Sequence, residues 1–319
     1  MIITPSSLNV FFTSLSTQFS ELFQSTPTWW SNIATLWPST TETETIGWMG
    51  RVPTFREWVG PRVAHGIATE GYVVRHKPYE LTIEVDKFKL QDDQYGLYSP
   101  IVRQMAIQAK KWPDYLMVDA LQLGGSATLG LCPDGLSFWN DSHPNDVYNS
   151  GAGTFDNNYA LNLTPDNYQT IRAEMMTRVG QDGKPLGVVP NELWVPPALE
   201  AVGKQILEAS YFANLTMLGS TQAGTSENVW KGTATLRVVP ELGGGSNDVG
   251  TNDKTWYLID TTKALKPLLF VQRAAPTFTY RFDPTDPVVF DSHTFLFGGE
   301  ARGTYAYALP FLASRSVGS

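Results

Sequence analysis

Two copies of the tripeptide Asp-Ser-His are the residues of this sequence that most resemble catalytic machinery. They stand at 141–143 and 291–293. A hydrolase triad needs a nucleophile, a base and an orienting carboxylate that converge from separate backbone positions. Three consecutive residues cannot converge in that way, and the sequence has no Gly-x-Ser-x-Gly elbow. Asp and Ser side chains often bond nearby backbone groups, so both tripeptides are predicted to form turns.

No pattern in the sequence predicts a metal site or a cofactor. The single cysteine, Cys132, cannot form a disulfide within the chain, and neither it nor the four histidines have metal-ligand spacing. The glycines at 243–245 lack the Lys-Ser/Thr ending of a phosphate-binding loop. Asp248, Asn252 and Asp253 offer oxygen ligands near these glycines, and a cation there is an alternative left open. We therefore expect no cofactor.

The composition favours protein contacts over nucleic-acid or membrane binding. The 319 residues carry a net charge of −8, which excludes the basic footprint of a tight nucleic-acid binder. Aromatic residues make up 12% and charged residues 17%, whereas about a quarter is charged in ordinary globular chains. Partners could cover such a surface, although an aromatic-rich β protein has the same composition. With no apolar run near the roughly 20 residues of a membrane span and no basic signal region, we expect a soluble cytoplasmic product.

The run from 47 to 62 concentrates the residues that anchor protein–protein contacts. It contains two Trp, one Phe and three Arg among glycines and prolines, and no convincing nucleophile, base or metal ligand. Trp and Arg dominate the binding energy of many interfaces. Burial in the chain's own core is the competing interpretation. The predicted contact residues are Trp48, Arg51, Phe55, Arg56, Trp58 and Arg62.

An amphipathic helix is predicted over residues 6–24, because apolar residues recur there at helical spacing. Phe11, Phe12 and Phe19 lie among these apolar positions and are predicted contact residues of an N-terminal arm. The polar stretch 39–45 then indicates a linker or an extended arm. Such a helix can dock on its own core or on a neighbour, and the sequence leaves both possibilities open.

The rest of the chain alternates between helical and extended patterns. Residues 82–90 show β-type alternation, and a helix roughly 35–40 Å long is predicted over 98–124, with a kink or break near Pro113. A mixed region covers 126–275, and 277–312 return to β patterning. The elements predicted inside the mixed region are helices at 164–179 and 196–208 and strands at 191–195, 233–239, 256–259 and 267–273.

Several short motifs accompany this order of parts. They are MIITP at 1–5, GWMG at 47–50, EWVG at 57–60, GY at 71–72, YSPI at 98–101, PD at 113–114, DGLSFW at 134–139, HP at 143–144 and FLFG at 295–298. Together they make the chain resemble the major capsid proteins of tailed bacteriophages with the HK97 fold, and most closely the Mu-like prophage major head subunit family. The resemblance is good over residues 1 to about 145 and near the C-terminus; between them it rests on element order.

The resemblance implies an α+β, HK97-like capsid fold in five parts. These are an N-terminal arm (1–46), an extended loop (47–78), a peripheral domain with a long spine helix (79–125), an axial mixed α/β domain (126–275) and a return to the peripheral domain (276–319). The contact run would then reach a neighbouring subunit. Because no lysine precedes Lys77, the loop cannot supply a covalent cross-link through lysine.

The function that the resemblance implies is assembly, without enzymatic activity, into an icosahedral shell around packaged double-stranded DNA. The implied partners are copies of the chain as hexamers and pentamers, separate scaffold and portal proteins, decoration proteins as a further option, and DNA bound without sequence specificity. No membrane is involved; the locations are the virion capsid and, during assembly, the host cytoplasm. The alternatives are a non-viral, encapsulin-like compartment shell, a hydrolase and a carbohydrate-binding or adhesive β protein.

Overall fold

The computed structural model describes residues 5–47, 71–92, 96, 98–146, 150–180, 183–212, 226–243, 253–281, 283 and 286–318. The helices are α1 (Pro5–Ser25), α2 (Trp30–Ile33), α3 (Lys87–Gln91), α4 (Tyr98–Leu123), α5 (Pro165–Thr177), α6 (Glu200–Leu207) and α7 (Pro287–Ser292). The strands are β1 (Ala34–Pro38), β2 (Thr43–Gly47), β3 (Gly71–Arg75), β4 (Lys77–Asp86), β5 (His143–Pro144), β6 (Thr154–Phe155), β7 (Asn158–Tyr159), β8 (Glu192–Val195), β9 (Tyr211–Phe212), β10 (Ser226–Glu227), β11 (Thr235–Val238), β12 (Thr255–Ile259), β13 (Leu268–Arg281), β14 (Thr294–Tyr307) and β15 (Ala313–Val317).

The two longest helices, α1 and α4, pack against each other, and both were predicted from periodicity. Pro113 lies inside α4 and is buried, but it does not split the helix. Of the kink or break predicted at this proline, the break was therefore wrong, and the kink stays a prediction. Contacts on both sides of the proline hold this turn: the ring of Trp112 packs on Tyr79, and the Asp114 carboxylate accepts hydrogen bonds from two backbone amides of the segment that enters α2.

A four-stranded sheet with the order β1-β13-β14-β4 carries α1 and α4 on one face. Only β1 runs parallel to its neighbour; the other pairs are antiparallel. The β pattern predicted over 82–90 ends earlier, because Asp86 caps α3. Its carboxylate accepts hydrogen bonds from the amides of Phe88 and Lys89 at 2.7 and 3.1 Å, which favours a helical turn over further strand.

The predicted linker at 39–45 is partly a strand. Residues 43–47 form β2, which pairs antiparallel with β3, and Ser39 is buried. We call the paired residues 43–47 and 71–75 the arm base, because they flank the segment 48–70. The hydroxyl-rich sequence looked like a linker because its strand partner lies beyond that segment.

A second sheet has five strands in the order β11-β8-β12-β15-β7. All residues of β8 and β12 are buried, which matches the apolar runs at 193–195 and 256–259 that follow the buried polar residues Glu192 and Thr255. Strand β15 lies between β12 and β7, so the segment after residue 276 contributes to both sheets. The domain boundaries drawn from the resemblance remain a prediction.

Helix α5 and strands β8 and β12 lie where the sequence predicted them. Thr164 caps α5 by accepting a hydrogen bond from the Asn167 amide at 3.2 Å, with Pro165 at the first helical position. None of the described helices is both long and apolar enough to cross a membrane.

Candidate subunit-contact surface

The six predicted contact residues from Trp48 to Arg62 lie outside the described residues. Their role in contacting a neighbour therefore stays a prediction. What the structure does describe is the arm base, from which this segment leaves and to which it returns.

The arm base is anchored on the body of the subunit. Ile46 and Val74 are buried in the hydrophobic core that lies beside the five-stranded sheet. The Tyr72 hydroxyl donates a hydrogen bond to the Tyr307 carbonyl oxygen at 3.0 Å and accepts one from the Tyr307 amide at 2.5 Å. Burial raises the pKa of Tyr72, so the phenol stays protonated and can make both bonds. The base of the arm is thus fixed to β14.

A second set of polar contacts ties the two ends of the arm base. The Ser39 hydroxyl lies 2.8 Å from His76 Nε2 and 2.5 Å from Glu44 Oε1. Ser39 and His76 are both buried. Nothing in the single sequence marks His76, which is one of the four histidines without metal-ligand spacing.

Helix α1 docks on its own chain. Phe12 is fully buried, with its ring centroid 5.1 to 5.7 Å from those of Tyr280, Phe295 and Phe297. Phe19 stacks on Phe278 at 4.7 Å. The contact predicted for these two phenylalanines is therefore within the subunit, and of the two possibilities left open, the structure shows docking on the chain's own core. Phe11 is half-buried at the edge of the same cluster.

The face of the four-stranded sheet opposite these helices is polar and exposed. Glu80 of β4 and Glu300 of β14 stand directly opposite each other, and Glu84 follows on the same face. None of these three carboxylates has an ion-pair partner in the part of the chain that the structure describes. Like charges directly opposite each other slightly destabilise a strand pair, so the side chains on this exposed face do not stabilise the sheet.

The first Asp-Ser-His tripeptide has no triad geometry. His143 is buried, with Nδ1 2.6 Å from Asp134 Oδ2 and Nε2 3.1 Å from the Phe138 carbonyl oxygen. Asp141 and Ser142 are exposed, and the Ser142 amide donates to Asn140 Oδ1 at 2.9 Å, as in the predicted turn. His143 is thus engaged in the core and faces no serine.

The second tripeptide ends at His293, which is exposed and has a φ of 52°, a value that suits a tight turn between α7 and β14. Cys132 is buried and unpaired, as expected of a packed thiol. Asp248 and Asn252 of the possible cation site lie outside the described residues. Within the described ranges no group of three His, Cys, Asp or Glu side chains could hold a metal ion.

Comparison with known proteins supplies the context for these surfaces. The model of one protein family, described as "Mu-like prophage major head subunit gpT", matches residues 8–161, 158–242 and 243–318. The chain belongs to this family. It is thus a major head subunit of the tailed-phage type, which is a structural protein of the virion.

Individual head proteins agree with this assignment. The major capsid protein of Escherichia phage Mu is 25% identical over 96% of the chain and 72% of the phage protein. The Mu-like prophage FluMu major head subunit of Haemophilus influenzae is 22% identical over 96% of the chain and 71% of its own length. These relatives are phage and prophage head proteins, which favours a phage head subunit over a non-viral compartment.

The fold agrees as well. The subunit in the procapsid of bacteriophage JBD30 superposes with a TM-score of 0.57 at 25% identity, covering 99% of the chain and 76% of that subunit. The mature capsid subunit of bacteriophage PhiM1 superposes with a TM-score of 0.52 at 12% identity, over 92% of the chain and 87% of that subunit. The HK97-like capsid fold implied by the sequence resemblance is confirmed.

Proposed function

We propose that this head subunit assembles with copies of itself, as hexamers and pentamers, into a closed icosahedral shell around packaged double-stranded DNA. The observation that carries the proposal is the match to head subunits along almost the whole chain, including the subunit of a phage procapsid. Repeated contacts of modest strength close such a shell when symmetry multiplies them. The work is done by binding energy, and we propose no catalytic step.

The arm base supports a contact with a neighbouring subunit. Its two strands are anchored through Tyr72 and the buried Ile46 and Val74, so the segment between them starts and ends at fixed points. That segment carries two Trp, one Phe and three Arg in 47–62. We propose that these side chains clamp a neighbour non-covalently, because no lysine precedes Lys77 to form a cross-link.

The charge of the chain suits enclosing DNA without gripping it. A net charge of −8 offers little attraction to phosphates. A shell that does not hold the duplex tightly permits both packaging and release. We propose that scaffold and portal functions, and any decoration, belong to other proteins of the particle, and that assembly takes place in the host cytoplasm.

Particle formation is the direct test. The chain is expressed and purified, then analysed by size-exclusion chromatography and electron microscopy, with and without co-expressed scaffold and portal proteins. Closed shells of uniform size are expected. A stable monomer under every condition, including co-expression with its scaffold, contradicts the proposal.

The contact run is tested by the double variant Trp58→Ala/Arg62→Ala. Each anchor contributes on the order of 2 kcal/mol if it is central and desolvated, so shell yield should fall steeply while the subunit stays folded. Phe88→Ala, which removes an exposed aromatic ring on α3, is the matched control and should leave the yield unchanged. Unfolding curves of the soluble subunits separate an assembly defect from a folding defect. Normal shells from the double variant rule out the proposed clamp.

A further inference from the structure

A buried polar contact joins the two short connections between the four-stranded sheet and the arm base. Ser39 is the first residue after β1, and His76 is the single residue between β3 and β4. Strands β1 and β4 are the two outer strands of the sheet, yet the side chains of Ser39 and His76 meet at 2.8 Å. They are 6% and 4% exposed, respectively. The chain entering the arm and the chain leaving it are therefore joined at a buried point.

The hydrogen-bond partners fix where the protons lie. Glu44 Oε1 accepts from the Thr41 hydroxyl at 2.8 Å and lies 2.5 Å from the Ser39 hydroxyl. These two hydrogen bonds lower the pKa of Glu44, so the group is a carboxylate and can only accept. The single Ser39 proton is directed to Glu44, because this carboxylate is charged and nearer than the Thr41 carbonyl oxygen at 3.3 Å, so we assign the donor role in the Ser39–His76 contact to His76 Nε2. His76 Nδ1 is the bare ring nitrogen.

Among the residues that the structure describes, His76 Nδ1 finds no hydrogen-bond partner, and the atom is shielded from solvent. The charged groups that act on the ring are Glu44 from β2, Arg302 from β14 and Arg273 from β13. Protonation would place a buried N–H without an acceptor near two guanidinium groups. Burial accordingly lowers the pKa of His76. The charges of Arg302 and Arg273 lower this pKa further, and the charge of Glu44 raises it. The closed geometry therefore favours the neutral imidazole of His76 and disfavours the imidazolium.

We propose that the Ser39–His76 contact is a proton-operated lock, which holds the two connections at the foot of the arm base together at neutral pH and releases them on acidification. The released imidazolium turns Nδ1 toward water and gives up its bond to Ser39. The lock belongs to the single subunit. Its use, to set the arm's orientation during assembly, rests on the proposed function above.

The direction of the pH effect follows from the lowered pKa. The opened state, with His76 exposed, titrates near the ordinary value of 6.5, whereas the closed state binds its proton only at lower pH. Between these two pKa values the open state therefore binds more protons than the closed state. Closure is fully favoured above about pH 6.5 and is lost as the pH falls through the lowered pKa of the closed state. Glu44, with a pKa below its ordinary 4.5, titrates in a separate and lower window.

Hydrogen–deuterium exchange of the purified subunit measures the lock directly. Peptides covering 43–47 and 71–75 are compared at about pH 7.5 and about pH 5, after correction for the intrinsic pH dependence of exchange. Loss of one buried hydrogen bond predicts about fivefold faster exchange at the acidic pH. Peptides from α1, whose buried residues lie in a different hydrophobic cluster from the arm base, serve as the reference and should not change beyond the correction. Equal protection of the arm base at both pH values overturns the proposal.

Three variants assign the effect. His76→Gln keeps an N–H donor near the position of Nε2 but does not titrate, so the acid step should disappear. Glu44→Gln keeps the acceptor for Ser39 and leaves His76 free to titrate, so the step should remain. Ser39→Ala removes the partner, and the arm base should exchange about fivefold faster already at neutral pH. An acid step that survives His76→Gln, or a Ser39→Ala arm base as protected as the wild type, contradicts the lock.

One measurement uses the wild-type chain and therefore does not depend on whether a variant folds. The titration of the His76 ring is followed by NMR, and a midpoint clearly below 6.5 is expected. A midpoint at or above that value overturns the lock even if His76→Gln fails to fold. Shell formation is measured separately. Shells that form from a subunit without the acid step contradict the lock but not the proposed function. An acid step in a subunit that forms no shells contradicts the proposed function but not the lock.

Discussion

Strands β13 and β14 pass through two different environments. In the first four residues of β13, 268–271, every side chain is buried, with Leu268 and Phe270 in one hydrophobic cluster and Leu269 and Val271 in another. Beyond Arg273 the exposed and half-buried residues alternate. One strand is thus a doubly covered interior strand at its start and a one-sided sheet strand at its end.

This difference separates the part of the subunit that stabilises itself from the part that offers a surface. The doubly covered end is shared with the five-stranded sheet and α4. The one-sided end buries α1 and leaves a polar face with Glu80 and Glu300 uncovered. Substitutions in the two ends should therefore differ in size and in how far their effects spread.

The largest effect is expected in the doubly covered end. Phe270→Ala removes a fully buried ring that contacts Trp30 and Trp112 and should lower the free energy of unfolding by about 4 kcal/mol. Thr279→Ala, on the exposed face of the same strand, should change it by less than about 0.5 kcal/mol. Urea unfolding of the purified subunit measures both. Similar losses of unfolding free energy in the two variants would show that the two ends of β13 do not differ in this way.

The next effect is smaller and local. Phe12→Ala leaves a cavity among Tyr280, Phe295 and Phe297 and should cost about 3 kcal/mol. Because α1 packs on α4 and on the one-sided end of the sheet, and not on the five-stranded sheet, the loss should appear as protease cleavage within α1 while the five-stranded sheet stays protected. Val10→Ala, at a position 70% exposed on the same helix, is the control. Global unfolding of the Phe12 variant in one step contradicts local docking.

Two glycines of β14 sharpen the boundary between the ends. A Cβ at Gly303 would lie 2.8 Å from the Val271 carbonyl oxygen and 3.0 Å from the Trp112 ring. Gly303→Ala should therefore cost about 2 kcal/mol through overpacking. At Gly298 the nearest atom would be Thr279 Oγ1 at 3.5 Å, and the same change should be neutral or slightly stabilising. Thermal unfolding of both variants tests whether the boundary lies between residues 298 and 303. Equal melting temperatures for the two variants would contradict a boundary there.

The smallest effect concerns the polar contact between α4 and the segment entering α2. Asp114 Oδ1 accepts hydrogen bonds from the amides of Trp29 and Trp30 at 3.0 and 2.8 Å. Asp114→Ala leaves both donors without this partner and should cost about 1 kcal/mol. Asp114→Asn keeps an acceptor, and because burial raises the pKa of the native carboxyl, losing its charge costs little. A larger loss for Asn than for Ala would show that the charge itself is needed.

Much of the secondary structure could be predicted from local pattern. Helices α1 and α4, the Thr164 cap of α5 and the apolar strands β8 and β12 all follow from periodicity and capping. The differences have long-range or capping causes. Where β2 forms, local pattern predicts only a linker or an extended arm, because its strand partner lies beyond residue 70; and Asp86 ends β4 by capping α3. Local pattern says nothing about pairing between distant strands.

The candidate surface was predicted less completely. The contact run could be proposed from Trp and Arg content, and it stays a prediction. Docking of Phe12 and Phe19 on the chain's own core required the structure, because an amphipathic helix is equally apolar whichever surface it covers. The Ser39–His76 contact joins residues 37 positions apart that meet only after β1 and β4 are placed. No spacing rule anticipates such a contact.

The parallel pairing of β1 with β13 has a consequence for biosynthesis. Residues 34–38 pair with 268–272, more than two hundred positions later, and β15 at 313–317 enters its sheet between β7 and β12. A nascent chain therefore leaves the ribosome with β1 unpaired for most of its translation. Loop closure over such distances is slow, and exposed strand edges invite association with other chains during the wait. We expect early-synthesised segments of this subunit to depend on chaperone protection until translation has nearly finished.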